Sequence, residues 1–367
     1  MRNHLHALCP YFAMFPEEFV AKYVEAYTKK GDYVFDPFCG RGTTILQSLL
    51  MGRNSAGTDV NPVAYCISNA KARIPNKASV IERLEELELS CGRKRTEIDE
   101  EVAGLPEFFC YAFHADSLRS LVFLRSTLDW RNDDVDRFVA ALTLGSLHGE
   151  MDKSSSYFSN QMPRTISTKP RYSIRYWRRH RLNPPQRKVF ELLRAKATYR
   201  LGGELPIRQG AVSLCDARDS GEIFEDLEGR VRLIVTSPPY LNVTRYEEDQ
   251  WLRLWFLGFE SKPTYRKVSR DDRHSSEANY WDFLSEAWEG IAPLVRKGAV
   301  FVCRLAGKDV ARKDLTENLY ETLLSTFPRA YMICAPKISR IRNRQTNNFR
   351  PGAKGCFFEM DHVFMLA

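Results

Sequence analysis

The chain predicts an α/β fold: a mostly parallel sheet with a terminal antiparallel hairpin, interrupted by a mainly helical insertion. Three stretches predict it. The first is Gly31-Asp-Tyr-Val-Phe-Asp-Pro-Phe-Cys-Gly-Arg-Gly-Thr-Thr44, where a short apolar strand reaches Asp36, breaks at Gly40 and Gly42, and passes into an apolar helical run over 45–50. The second is Ala56-Gly-Thr-Asp-Val-Asn-Pro62, a strand that ends in an acid. The third is Leu233-Ile-Val-Thr-Ser-Pro-Pro-Tyr240, an apolar strand running into a rigid polar–Pro–Pro–aromatic tetrad.

Cys9-Pro-Tyr-Phe-Ala-Met-Phe-Pro16 leads into a helical pattern over 17–29, with Phe19, Val20, Tyr23, Val24 and Tyr27 apolar and Pro16 at the helix start. In the glycine stretch, Thr43 or Thr44 is the expected N-cap. The missing Cβ atoms let backbone N–H groups converge there and a ligand approach closely. A carboxylate at the tip of the second strand, here Asp59, is placed to accept hydrogen bonds from ribose hydroxyls. Residues 63–75 continue as a helix.

Residues 76–205 read as the insertion: charged and helical over 78–101, with helical apolar spacing over 113–124 and 135–147. A Ser/Asn/Gly/Pro-rich loop follows over 147–165. The expected domains are therefore 1–75 with 206–367, and 76–205. The sheet resumes at Ala211-Val-Ser-Leu-Cys-Asp216. Asp116 rivals Asp216 as an acid at a strand end, but the strand over 231–236 follows Asp216 after one helical connection, as a doubly wound sheet requires. Beyond the tetrad come a loop, helices through 257 and over 280–295, a buried strand over 298–304 and a helix over 315–327. Two strands, 330–338 and 356–366, close the chain around a basic loop.

Charge is unevenly distributed. Residues 161–200 hold twelve Lys/Arg against one acid and residues 337–354 hold six against none, although the whole chain carries only +8. Such confinement looks like the footprint of a polyanion, with a merely solvated basic face as the bland alternative. Arg164, Lys169, Arg171, Arg175, Arg178 and Arg179 would neutralise phosphates, while Tyr176 and Trp177 would stack on bases or brace a duplex. Arg340, Arg342 and Arg344 form the second patch. Nine cysteines without a Cys-x-x-Cys pair, and His148 without a second ligand at metal spacing, support neither a disulfide framework nor a metal site. No apolar run approaches the roughly 20 residues of a membrane span, and no secretory signal opens the chain. A cytoplasmic protein is expected.

Asp36-Pro-Phe-Cys-Gly-Arg-Gly-Thr-Thr44 together with Thr236-Ser-Pro-Pro-Tyr240 resembles the S-adenosylmethionine-dependent DNA methyltransferases that modify exocyclic amino groups. The resemblance covers 9–75 and 211–366. It implies a Rossmann-like methyltransferase sheet, and S-adenosylmethionine held by Phe15, Pro16, Asp36, Phe38, Cys39, Gly40, Gly42, Thr43, Thr44, Asp59, Val60, Asn61, Asp216 and Ala217. Phe15 and Pro16 would lie near the methionine end, and Asp216 would receive the adenine amino group. Double-stranded DNA with a flipped-out base is the implied partner, and a cognate restriction endonuclease a further one.

The same resemblance assigns catalysis to Ser237, Pro238, Pro239 and Tyr240. An exocyclic amine is a poor nucleophile, and the Ser237 hydroxyl with the Pro238 carbonyl would hold its N–H bonds so that the lone pair faces the methyl group. Tyr240 would stack on the flipped base. Serine at the first tetrad position favours cytosine N4, with adenine N6 as the alternative. Guanosine-N2 RNA methylation and a non-catalytic nucleic-acid binder rank below. The chain departs from the commonest N4-cytosine order by placing the glycine turn before the tetrad, and its insertion falls inside the sheet.

Overall fold

The computed structural model describes residues 3–11, 15–149, 156–162, 170–241, 246–263, 277–307, 310–341 and 356–366. Its strands are β1 (Tyr33–Asp36), β2 (Asn54–Thr58), β3 (Ala211–Ser213), β4 (Val231–Thr236), β5 (Val295–Leu305), β6 (Tyr331–Met332), β7 (Lys337–Arg340) and β8 (Phe358–Leu366). They form one sheet in the order β3-β2-β1-β4-β5-β8-β6, with β7 also on β8. The pairs from β3 to β5 are parallel. β8 runs antiparallel to β5, β6 and β7. The fold is a Rossmann-like α/β sheet. Its order reverses between β1 and β4, and in such sheets the crevice at that switch point, beyond the strand carboxyl ends, is where ligands bind.

Both faces of the central strands are covered, so β4 carries the continuous apolar run Leu233-Ile-Val235. Ile234 packs on one face with Phe35, Trp288 and Phe301. Leu233 and Val235 pack on the other with Phe19, Val20, Tyr23 and Val24 of helix Glu17–Tyr27.

Two local expectations are corrected. Helix Thr43–Leu50 is entered from Gly42, whose φ of 72° is left-handed, and no threonine caps it. Thr44 Oγ1 instead donates to Val235 O at 3.0 Å, and Thr43 Oγ1 accepts from Arg41 Nε at 3.1 Å. The single strand expected over 330–338 is two, β6 and β7. Pro336 lies in the gap, where it has no N–H to give the ladder.

The chain divides into two compact units. One comprises Tyr11–Arg73, Leu205–Arg245 and Ser269–Ala367 and carries the sheet. The other comprises Met1–Pro10, Ile74–Glu204 and Tyr246–Val268 and is helical. The helical unit thus takes in a segment that boundaries of 76–205 leave out. Within it, Trp251 and Trp255 of helix Tyr246–Phe256 pack on Phe108 and Phe109, at 4.9 and 4.5 Å between ring centroids. The two indoles recruit this helix, and their partners lie more than a hundred residues away in sequence. Among the described residues no helix is long and apolar enough to cross a membrane, and no cluster of ligating side chains could hold a metal. The nine cysteines are free thiols.

Candidate functional site

β1 ends in Asp36, which is 0% exposed. Thr236 Oγ1 donates to its Oδ1 at 2.7 Å, and Phe38 N donates to the same oxygen at 3.0 Å. The carboxylate therefore ties the glycine turn to the last residue of β4, immediately before the tetrad. It was expected among the cofactor contacts. So deeply buried, it instead holds the loops that would make them.

Burial pushes the Asp36 carboxyl up to about 6. A raised carboxyl favours the protonated native state, so this group's stability contribution is full below its unfolded value near 4 and is lost as pH rises toward 6. Asp36→Asn should remove that dependence. The variant's stability relative to wild type should improve between pH 4.5 and 7, by about 2 kcal/mol for a shift of this size. Urea unfolding at the two pH values measures it, and parallel pH dependences would refute the assignment.

The turn after Asp36 has Gly40 at φ 50° and Gly42 at φ 72°. Gly40 N donates to Asp59 Oδ2 at 2.7 Å, Asn61 N donates to Asp59 Oδ1 at 2.9 Å, and Asn61 Oδ1 caps helix Pro62–Ala72 by accepting from Val63 N. Asp59 thus holds the turn to the tip of β2, with Val60 half-buried beside it. The buried Lys71 ammonium donates to Arg41 O at 2.5 Å from beneath. Arg41, also buried, reaches Phe15 O at 3.4 Å and so links the turn to the Phe15–Pro16 segment.

Cys39 is packing: its Sγ donates to Asp36 O at 3.2 Å, and burial raises the thiol well above its usual range. Phe38 lies edge-on to Phe283 and Trp288. A Cβ on Gly42 would lie 2.8 Å from Ser68 Cα, whereas one on Gly40 would meet nothing nearer than the Tyr11 ring at 3.7 Å. The turn is sealed at Gly42 and open at Gly40, as a cradle for an approaching ligand needs. Tyr11, which sequence reasoning passed over, borders the open side.

Asp216 caps the short turn Ala217–Asp219. Arg218 grips both its oxygens, Nε to Oδ1 at 3.1 Å and an Nη to Oδ2 at 3.0 Å, and pairs with Glu286 at 3.0 Å. Ala217 is buried beside it.

In the tetrad, Pro238 is buried, Pro239 half-buried and Ser237 Oγ enclosed. Tyr240 is 5% exposed, packs with Ala306 and Cys356, and donates its hydroxyl to Glu359 Oε1 at 2.9 Å. The ring expected to stand ready for stacking on a base is here packed and anchored. Behind it lies a group the sequence did not reveal. Arg304, 8% exposed, donates from Nε and an Nη to Asp361 at 2.7 and 3.1 Å, and from its other Nη to Glu359 at 3.3 Å. Its guanidinium lies 4.0 Å over the Phe19 ring. Register brings these residues together: Arg304 and Asp361 are cross-strand partners on β5 and β8, 57 positions apart.

In the helical unit, helix Pro170–Arg179 exposes Arg171, Tyr172, Arg175, Arg178 and Arg179. Tyr176 is half-buried against His180, and Arg178 pairs with Glu107 and donates to Tyr111 Oη at 2.9 Å. Trp177 corrects the expectation of a stacking residue. It is 0% exposed, lies 5.7 Å from Phe108 and donates Nε1–H to Gln161 O at 3.0 Å. It anchors the basic helix and cannot reach a base. Arg340 is exposed on β7. Arg164, Lys169, Arg342 and Arg344 lie outside the described residues.

A family model described as DNA methylase matches residues 2–70, the span holding the glycine turn and Asp59. The type II methyltransferase M.MjaII of Methanocaldococcus jannaschii is 36% identical over 69 residues, 19% of this chain and 13% of that protein. The orphan methyltransferase M.BamHII of Bacillus amyloliquefaciens is 36% identical over 73 residues, 20% of this chain and 27% of that protein. The matched regions thus span under a third of the length of these relatives. The rRNA methyltransferase aviRa of Streptomyces viridochromogenes aligns over 99% of this chain and 92% of its own, at 11% identity and a TM-score of 0.37.

Proposed function

We propose that this protein transfers the methyl group of S-adenosylmethionine to an exocyclic amino group of a flipped-out base in double-stranded DNA, cytosine N4 first and adenine N6 as the alternative. The observation that carries the reading is the bond from Thr236 to Asp36, which fastens the tetrad's strand to the glycine turn at the switch point of the sheet. The DNA methylase match over 2–70 supports the cofactor half.

S-adenosylmethionine, when bound, supplies an electrophilic methyl on a good leaving group. The chain's part is to bind, orient and expose. The open side of Gly40 and the adjoining N–H groups would receive the cofactor. Asp59 and the neighbouring Val60 and Asn61 would face its ribose, Asp216 and Ala217 its adenine, and the Phe15–Pro16 segment its methionine end. Ser237 Oγ and Pro238 O would accept the N–H bonds of the target amine, the prolines fixing the carbonyl in place. Proximity then does most of the work, and the proton leaves to water after transfer. The sheet-bearing unit would catalyse, and the helical unit would hold the duplex through the Pro170–Arg179 face. The names of the relatives suggest a restriction–modification setting, with a cognate endonuclease as partner and the cytoplasm as location.

Incubating wild type with unmethylated DNA and S-adenosylmethionine, then digesting to nucleosides for mass spectrometry, tests the reading. N4-methylcytosine is expected. N6-methyladenine would move the target atom, and methylated RNA beside unmodified DNA would overturn the substrate. The triple variant Arg171→Ala, Arg175→Ala, Arg179→Ala should bind DNA more weakly and flatten log K against log salt by up to about 3 in slope. An unchanged slope removes this helix from the interface.

A further inference from the structure

The Arg304 cluster has no place in the roles above, yet it is built around the tetrad. Arg304 is fixed on three sides, by Asp361 through two hydrogen bonds, by Glu359 and by the Phe19 ring. A guanidinium can only donate, and an ionised carboxylate can only accept. Glu359, held by Arg304, is therefore an acceptor, and the 2.9 Å contact requires Tyr240 to be the donor. A phenol has one proton. With that proton committed to Glu359, the Tyr240 oxygen shows only lone pairs to the Ser237 hydroxyl three residues before it, which interacts with Tyr240, is enclosed, and makes no hydrogen bond of standard geometry among the described residues.

We propose that Arg304 and Glu359 are positioning residues that set the direction of the tetrad's hydrogen bonds. They make the Tyr240 oxygen the acceptor of the Ser237 proton and so leave the Ser237 lone pairs for the amine of the target base. This rests on the reading of Ser237 as the amine's acceptor and adds what makes it one. A serine hydroxyl left to rotate can present its proton to an amine as readily as a lone pair, and the first arrangement repels the N–H. A relay in which every proton points away from the incoming base removes it. The order of donors is Ser237 to Tyr240, and Tyr240 to Glu359, with Arg304 fixing Glu359 from behind.

Glu359→Gln tests direction at constant shape. A carboxamide carries an NH₂ that can donate to Tyr240, reversing the phenol and returning a proton toward Ser237. The expected result is a fall in kcat of about tenfold or more, with S-adenosylhomocysteine affinity within about twofold of wild type. Tyr240→Phe deletes the relay, so adding Glu359→Gln to it should cost nothing further beyond about twofold. A slowly exchanging hydroxyl proton, shifted downfield in the NMR spectrum of wild type, should vanish in Tyr240→Phe and move upfield in Glu359→Gln. Should Glu359→Gln not accumulate folded, Glu359→Asp carries the same test by withdrawing the acceptor one methylene. Wild-type turnover in Glu359→Gln, or losses that multiply independently in the double variant, overturn the relay. A wild-type chain that methylates no nucleic acid sinks the function beneath and the relay with it, and so fails differently.

Discussion

Ser237→Ala should bind S-adenosylhomocysteine as wild type does and lose turnover by roughly 10²–10³. The proposed cofactor contacts lie on the glycine turn, the tip of β2 and the Asp216 turn, and the hydrogen bonds that shape these do not use the Ser237 side chain. On the proposed roles, removing Oγ would take one of two acceptors from the amine and leave the Pro238 carbonyl to hold one N–H alone. The lone pair is then no longer aimed, and loss of one such preorganised contact is worth about 3–4 kcal/mol in the transition state and little in the ground state. Space is not the issue, because alanine is smaller and the prolines still dictate the backbone. Calorimetric titration and single-turnover methyl transfer separate the two quantities. Weakened cofactor binding with turnover kept within about fivefold would place Ser237 in the cofactor pocket and remove it from the chemistry.

Two kinds of signal decided what was legible beforehand. Local chemistry was readable: the apolar run, glycines and acids of residues 31–62 name a strand, a turn and a second strand end without knowledge of the rest. A mostly parallel sheet followed because parallel strands need covered faces and crossover helices, whereas the strand order came only with the structure. Contacts made by register were not readable. Arg304, Glu359 and Asp361 stand in two strands whose pairing gives no residue-level signal, and Tyr11 approaches Gly40 from a segment that looked like a helix approach. Trp177 shows the opposite failure. A tryptophan among arginines reads as a stacking residue, but on a helix with Ser173 and Ile174 it falls on the buried stripe, opposite the arginines. The 3.6-residue period outweighs composition there. A helix ending at 257 was legible, yet which core its apolar face would join depended on aromatic partners distant in sequence.

Among the described glycines, Gly57→Ala should be the methyl addition that meets backbone most closely and so one of the most damaging, and the contrast with Gly40→Ala makes the prediction specific. Gly57 pairs with Asp36 across β1 and β2. A Cβ there would lie 2.2 Å from Asp36 O and 2.6 Å from Cys39 Sγ, and the nearer atom is backbone that cannot rotate aside. Strands β1 and β2 must separate at the point where the glycine turn begins, so the hydrogen bonds from Gly40 to Asp59 and from Thr236 to Asp36 would be strained together. A destabilisation of about 3–5 kcal/mol is expected, at the severe end for overpacking because strand backbone has to move. Gly40→Ala meets no atom closer than 3.7 Å, so its cost is the left-handed φ of 50° alone, about 1–2 kcal/mol. It should fold and still bind S-adenosylhomocysteine at least about tenfold more weakly, because its methyl fills the open side of the turn where close approach depends on a missing side chain. Urea unfolding and calorimetry on the two variants give four numbers. A stable Gly57→Ala would mean the strands are not packed as described, and a Gly40→Ala that binds like wild type would move the cofactor off this turn.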